Sequence, residues 1–276
     1  MGQHYVPQYY LEGFTDIYSK IHQYEKGKIT ILSTATQSVA NENHRWSSET
    51  ENYLANQIEV PANPVLKNIR NKLPINQLEK EVLAAYMVVL LRRVPKGWQR
   101  TKKFVPEFFD NLENLVLKLM EEHPAKIDIL KRRQLEIKEL RTKWENEFPS
   151  ELWSEYLKPD YTPQILAALP AMTWTFLVSE RGIPFLTNDN PVFFFEGLGI
   201  GKTESEVIFP VSSSVTLFAS WKANFVEGYV SAKEVIIREI NRRTASNTTK
   251  YAFYSREANW VVNLINKKHY KLYRIN

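Results

Sequence analysis

Phe185-Leu186-Thr187-Asn188-Asp189-Asn190-Pro191-Val192-Phe193-Phe194-Phe195 is the stretch on which the fold assignment turns. Two apolar, β-prone runs flank a tight polar cluster. The runs read as strands buried on at least one face, and Asn188-Asp189-Asn190-Pro191 reads as the turn between them. Loops held by rigid strands are favoured places for chemistry. Asp189 in such a loop has the donor set for a metal or a base, and its Asn neighbours could orient a substrate. The plainer alternative is that Asn and Asp are simply good turn formers.

More strand-like segments surround this stretch. Residues 173–178 precede it, 207–212 and 215–219 follow, and 251–254 comes late in the chain. Ile21 to Thr34 reads as a β-hairpin turning at Lys26-Gly27-Lys28, with His22 on an exposed strand face. Between these groups lies a helical part, about residues 47–169. Ser47 or Ser48 can cap its first helix, on which Glu51, Leu54, Ile58 and Glu59 follow at helical spacing before Pro61 and Pro64 interrupt. At 3.6 residues per turn Glu51 and Glu59 are offset by about 80° around the axis, so both can border one cleft. They are equally readable as two surface glutamates.

Asn76 with Glu79 marks the cap of a second helix, apolar on most sides and therefore central. It ends in Arg92-Arg93-Val94-Pro95. Two arginines there suit the helix dipole, and they equally suit a phosphate or carboxylate. Thr101 to His123 and Ala125 to Phe148 read as a long helical hairpin standing off the core, its mixed charges forming a solvated face. The later helix over 231–246 is expected to turn Val235, Ile236 and Ile240 inward. The expected fold is α+β: a mixed, mainly antiparallel sheet with a helical layer and a protruding helical hairpin. A single domain spans 1–276, with a helical insertion at about 101–148.

Composition narrows the function classes. The chain has no cysteine, which excludes disulfides, Cys-zinc sites and a thiol nucleophile. Its 36 Lys+Arg against 31 Asp+Glu leave a formal net charge of +5, compatible with phosphate-bearing partners without demanding them. Leu83 to Leu91, the longest apolar run, is too short to cross a bilayer. No secretory leader is read at the start of the sequence, so a cytoplasmic location and no membrane partner are expected. Gly197 to Thr203 contains Gly-Lys-Thr but is no P-loop, because the first glycine of that motif would fall at Glu196. It reads as a hairpin loop. No Gly-x-Ser-x-Gly elbow is present.

The aromatic opening, His4-Tyr5-Val6-Pro7-Gln8-Tyr9-Tyr10-Leu11 with Phe14, is expected to pack onto the body and carry His4 and Gln8 towards a pocket. Alternatively it is an aromatic anchor with an incidental histidine. Taken with Glu51-x-x-Leu54-x-x-x-Ile58-Glu59, Arg93-x-Pro95, Thr187-Asn188-Asp189-Asn190-Pro191-Val192, Pro210-x-Ser212 and Asn241, this opening resembles a widespread prokaryotic family, domain of unknown function 4238. The resemblance runs nearly end to end. It departs at Asn188, where the family pattern has Ser, and leaves the Asp-Asn pair intact. It implies that His4, Gln8, Glu51, Glu59, Arg93, Asp189 and Asn190 form the recurring polar set, ingredients of hydrolytic or phosphoryl chemistry.

The expectation is therefore that His4, Glu59, Arg93 and Asp189 converge on one pocket as catalytic residues, with Gln8, Glu51, Arg92 and Asn190 binding around them. Glu59 and Asp189 would hold Mg2+ or Mn2+ through oxygen. His4 would be a further ligand or general base, and Arg93 would stabilise charge on a phosphate. The reaction would be metal-dependent phosphodiester hydrolysis, most simply by a nuclease, with nucleic acid as partner and the oligomeric state left open. The competing expectation is a non-catalytic nucleic-acid- or protein-binding module. There the same residues are a structural polar network, and Trp46, Trp98 and Trp221 serve a partner surface.

Overall fold

A computed structural model describes residues 2–43, 46–146, 149–180 and 182–275, the side chains of residues 104, 150 and 151 excepted. In chain order the elements are β1 (Gln3–His4), α1 (Gln8–Leu11), β2 (Ile21–Glu25), β3 (Ile31–Thr34), β4 (Asn41–Glu42) and α2 (Ser48–Tyr53). A π-helical stretch, Leu54–Glu59, leads into α3 (Val60–Arg70), followed by α4 (Gln77–Arg93), α5 (Pro95–Glu122), α6 (Ile127–Asn146), α7 (Ser150–Tyr156) and α8 (Pro163–Ala171). The last third holds β5 (Thr173–Val178), β6 (Thr187–Asn188), β7 (Phe193–Phe194), β8 (Glu206–Pro210), β9 (Val215–Ser220), β10 (Gly228–Ser231), α9 (Glu234–Asn247), β11 (Tyr251–Tyr254) and α10 (Asn259–Ile265). Helix at 52% and strand at 16%, in mostly antiparallel sheets, make the fold α+β.

The strands form three sheets. A five-stranded sheet has the order β10-β5-β9-β8-β7, a four-stranded sheet the order β3-β2-β11-β6, and β1 pairs with β4. Among the described residues only β10 with β5 is parallel. Alternation along the strands of the larger sheet divides its two faces. Trp174, Phe176, Val207, Phe209, Leu217 and Ala219 face the core shared with α3, α4 and the amino-terminal arm. Leu177, Ile208 and Phe218 face Phe185, Ile237 and Ile240, the last two from α9. A third core, with Tyr24, Leu186, Ala252, Tyr254, Val261 and Ile265, lies between the four-stranded sheet and α10.

The Asn-Asp-Asn-Pro stretch lies between two strands, as expected, but those strands do not pair with each other. β6 pairs with β11 and β7 with β8, so the stretch carries the chain from one sheet to the other. The β2–β3 hairpin is as expected, with Gly27 at φ 82° supplying the left-handed residue of its turn. His22 is half-buried rather than exposed, stacked on Tyr254 at 5.7 Å.

The two anticipated caps are present. Thr50 N donates to Ser47 Oγ at 3.1 Å, and Asn76 and Glu79 form a reciprocal capping box at 3.0 and 2.8 Å. Pro61 and Pro64 do not interrupt the helical run. The helix is continuous from α2 into α3, and Pro61 follows directly on the π winding over Leu54–Glu59, where the backbone bonding register changes. α5 and α6 form the protruding hairpin, pinned by Arg141 to Asp110 at 2.7 Å and by Trp144 against Phe109 at 5.2 Å. The expected end of that hairpin at Phe148 lies outside the described residues. On α9 the inward residues are Ile237 and Ile240, whereas Val235 is 70% exposed. Among the described residues no helix is long and apolar enough to cross a membrane.

Candidate functional site

The amino-terminal arm is fastened at three places. β1 pairs with β4 through Gln3↔Glu42 and His4↔Asn41. The Gln3 side-chain amide clasps the backbone of Trp46, donating to its carbonyl at 2.8 Å and accepting from its N–H at 3.1 Å. The Tyr10 hydroxyl, fully buried, donates to Pro210 O at 2.7 Å and lies 2.6 Å from Thr187 Oγ1. Burial of Tyr5, Val6, Tyr10, Leu11 and Phe14 supplies the driving force, since each such side chain contributes about 1.5–3 kcal/mol.

This arm brings His4 to the end of α4. Arg93, 1% exposed, donates through Nη1 to Glu59 Oε1 at 2.6 Å and through Nη2 to the His4 carbonyl. Its guanidinium lies 5.3 Å from the centre of the Trp46 ring. The Trp46 indole N–H donates in turn to Glu51 Oε2. Glu51, Trp46, Arg93 and Glu59 thus form one alternating chain of acid, ring, base and acid. Both glutamates are half-buried; Glu51 lies one turn before the π-helical winding and Glu59 ends it, and such winding is often found at functional sites.

The His4 ring edges this chain. Its Nε2 lies 3.2 Å from Gln37 O, an acceptor, and 3.2 Å from Gln8 Nε2, a donor, while Nδ1 lies 3.5 Å from the same Gln8 nitrogen. Burial lowers the imidazole pKa below the ordinary histidine value. The Gln37 carbonyl opposes that shift, the Arg93 charge adds to it, and Glu59 and Glu51 oppose it more weakly. The net effect favours the neutral ring.

Two buried donors in this region have no hydrogen-bond partner among the described residues: the Tyr86 hydroxyl and Arg93 Nε. Tyr86 and Arg93 are seven residues apart on α4 and so share a face. Burial holds the Tyr86 phenol well above its usual pKa, and the nearby Glu59 charge raises it further. A buried donor left unpaired costs about 1–3 kcal/mol. Tyr86 was not picked out by the sequence reading, although its place two turns before Arg93 on an otherwise apolar helix is a usable signal.

The other expected site residues belong elsewhere. Asp189 does not join His4, Glu59 and Arg93, which corrects the expected convergence of all four. Its carboxylate accepts from three successive backbone N–H groups, Thr249 at 2.9 Å, Lys250 at 2.6 Å and Tyr251 at 3.0 Å, and clamps the connection from α9 into β11. Burial raises its pKa above the usual carboxylate value, and the three donors only partly offset this. Among the described residues no group of three or more His, Asp or Glu side chains is placed to hold a metal ion. Both Asp189 oxygens already accept from backbone N–H groups, so Asp189 brings no idle oxygen to the expected Glu59–Asp189 pair.

Arg92 is equally committed. It donates to Tyr156 O at 2.8 Å, to Lys158 O at 2.6 Å and to Thr162 Oγ1, fixing the segment after α7. The terminal nitrogens of both arginines thus serve the chain itself, and Arg93 keeps only Nε without a partner among the described residues. Asn188 donates to Thr244 O at 2.6 Å, and Asn190 N donates back to Asn188 Oδ1 at 2.9 Å, so these amides brace the crossing. The three tryptophans are engaged internally. Trp46 is 5% exposed, Trp98 packs edge-on against Trp153 at 4.8 Å, and Trp221 donates to Ile200 O at 2.8 Å.

Comparison with known proteins adds one match. A family model described as "Protein of unknown function (DUF4238)" covers residues 2–258. No curated protein and no solved structure matches the chain.

Proposed function

The chain belongs to the DUF4238 family, a description that carries no reaction, and from its geometry we propose a phosphodiester hydrolase, in its simplest form a nuclease, with His4, Glu51 and Glu59 as the acid–base centre. The observation that carries this reading is the half-exposed His4, its pKa lowered by burial, beside two half-buried glutamates and two unpaired buried donors. A general base must be unprotonated at working pH, and the lowered His4 pKa favours that state. Arg93 fixes Glu59 and anchors the arm, so it is a positioning residue. The Tyr86 hydroxyl and Arg93 Nε are the groups available to donate to a substrate oxygen.

Charge sets a further requirement. Two glutamates, one arginine and a neutral histidine leave the cluster at net −1, which opposes a phosphate. Mg2+ or Mn2+ would reverse that sign, and magnesium is commonly held by one or two carboxylates with water and substrate phosphate completing its shell. Glu51 Oε1 and Glu59 Oε2 make no hydrogen bond among the described residues and are the oxygens suited to this. Asp189 has no part in this reading.

A second reading, a non-catalytic module in which the cluster only pins the arm, is favoured by one observation: both Arg93 bonds run to groups of the chain itself. The two readings separate in one screen of the purified protein against RNA, single- and double-stranded DNA and generic phosphodiesters, with and without manganese. Manganese-dependent cleavage that His4→Gln and Glu59→Gln both remove supports the hydrolase. An intact, folded chain that cleaves none of these substrates supports the module.

A further inference from the structure

We infer that Lys96 and Arg100, on the first turns of α5, form a phosphate-binding site whose present occupant is the chain's own Glu196. Arg100 donates to Glu196 Oε1 through Nε at 3.0 Å and Nη2 at 2.8 Å, and Lys96 Nζ lies 3.4 Å from the same oxygen. Three cationic donors converge on one carboxylate oxygen. The other oxygen of Glu196 makes no hydrogen bond among the described residues. A carboxylate has about four lone-pair sites over two oxygens, so this arrangement crowds one oxygen and leaves the other idle. A phosphate offers three terminal oxygens and gives each donor its own acceptor, the geometry for which arginine forks are suited.

The surroundings fit an exchangeable occupant. Glu196 is half exposed, on the loop that follows β7, while the Arg100 and Lys96 side chains are only 18% and 30% exposed. The two cations are held from behind: Lys96 Nζ donates to Asn247 Oδ1 at 3.0 Å, and Arg100 Nη1 donates to Leu91 O at 3.1 Å and to Asn190 Oδ1 at 3.5 Å. Burial lowers the Lys96 pKa, Glu196 opposes that and the Arg100 charge adds to it, so the lysine gains from any further anion. Asp189 is the weakest influence on Lys96, and its oxygens are occupied by backbone donors. The site goes beyond the hydrolase reading and does not depend on turnover at His4.

The test is equilibrium binding to the full chain, with a chelator present so that no cleavage takes part. The probes are inorganic phosphate and a single-stranded oligonucleotide with and without a 5′-phosphate. Glu196→Gln removes the internal competitor from an exposed position and should tighten phosphate binding about tenfold. Lys96→Gln and Arg100→Gln should each weaken it about tenfold, the scale of one lost charge-assisted hydrogen bond. Loss of oligonucleotide binding on removing the 5′-phosphate assigns the site to terminal phosphates, and retained binding assigns it to internal phosphodiesters. Binding of neither probe, or affinity unchanged or reduced in Glu196→Gln, overturns the proposal even if the two cation variants fail to fold.

Discussion

Replacing Asp189 with alanine should unfold the protein sooner without touching the chemistry of the His4 cluster. The magnitude follows from its three backbone bonds, at 2.9, 2.6 and 3.0 Å. A hydrogen bond to a charged acceptor contributes about 1.5–3 kcal/mol when its donor cannot be rehydrated. Thr249 and Lys250 are exposed, so water can reach two of the three donors. That discounts each bond to about 1 kcal/mol and the total to about 3 kcal/mol, a large share of the roughly 5–15 kcal/mol that stabilises a typical domain. At roughly 2–4 °C per kcal/mol for a chain of this order of size, Tm should fall by about 6–12 °C. Asp189→Asn should cost about 2 kcal/mol, because its amide group opposes at least one N–H donor where an oxygen accepted before. The assay is urea and thermal unfolding followed by circular dichroism, with cleavage measured on the same preparations well below Tm. An Asp189→Ala protein with an unchanged unfolding midpoint, or one that folds normally but has lost metal-dependent cleavage, would refute the structural assignment.

Other consequences can be checked on the same footing. The folded His4 pKa lies below the unfolded value of about 6.5. Its contribution to stability is therefore full above pH 6.5 and lost as pH falls through the folded value; His4→Gln should flatten the urea midpoint between about pH 6.5 and 5. Gly97→Ala should destabilise by at least about 2 kcal/mol in a thermal melt, because the new Cβ would stand 2.7 Å from Arg92 Cα and closer still to its carbonyl, backbone atoms that cannot move aside cheaply. Asn76→Ala removes half of the α4 capping box and should cost about 1 kcal/mol by chemical denaturation.

Local signals were readable in the sequence where a residue's partner lies close by in the chain. The Ser47 and Asn76 caps, the Gly27 hairpin turn and the apolar interior of α4 each depend on neighbours within a few residues, and each is where the pattern puts it. The α5–α6 hairpin follows from the breaks at Pro95 and Pro124. What was not readable depends on partners far along the chain. Asp189 looks like a turn residue or a ligand until the connection from α9 into β11, some 60 residues later, supplies its three donors. Arg92 and Arg93 sit side by side yet serve different segments, one the stretch around residues 156–162 and the other His4 and Glu59. The π winding was hidden because Pro61 and Pro64 signal interruption, and nothing local announces that the helix continues through them. Of the eight expected site residues, His4, Gln8, Glu51, Glu59 and Arg93 lie together, whereas Asp189, Asn190 and Arg92 brace other segments.

The most direct test of the central assignment is the rate of manganese-dependent cleavage of a labelled single strand by the wild-type chain and by His4→Gln, at matched folded fraction. A neutral general base contributes about 10²–10⁴-fold, so the variant should be slower by at least about a hundredfold. Equal rates in the two proteins would contradict the assignment of His4 as the base, and no cleavage by the wild type would leave the cluster as an anchor for the amino-terminal arm.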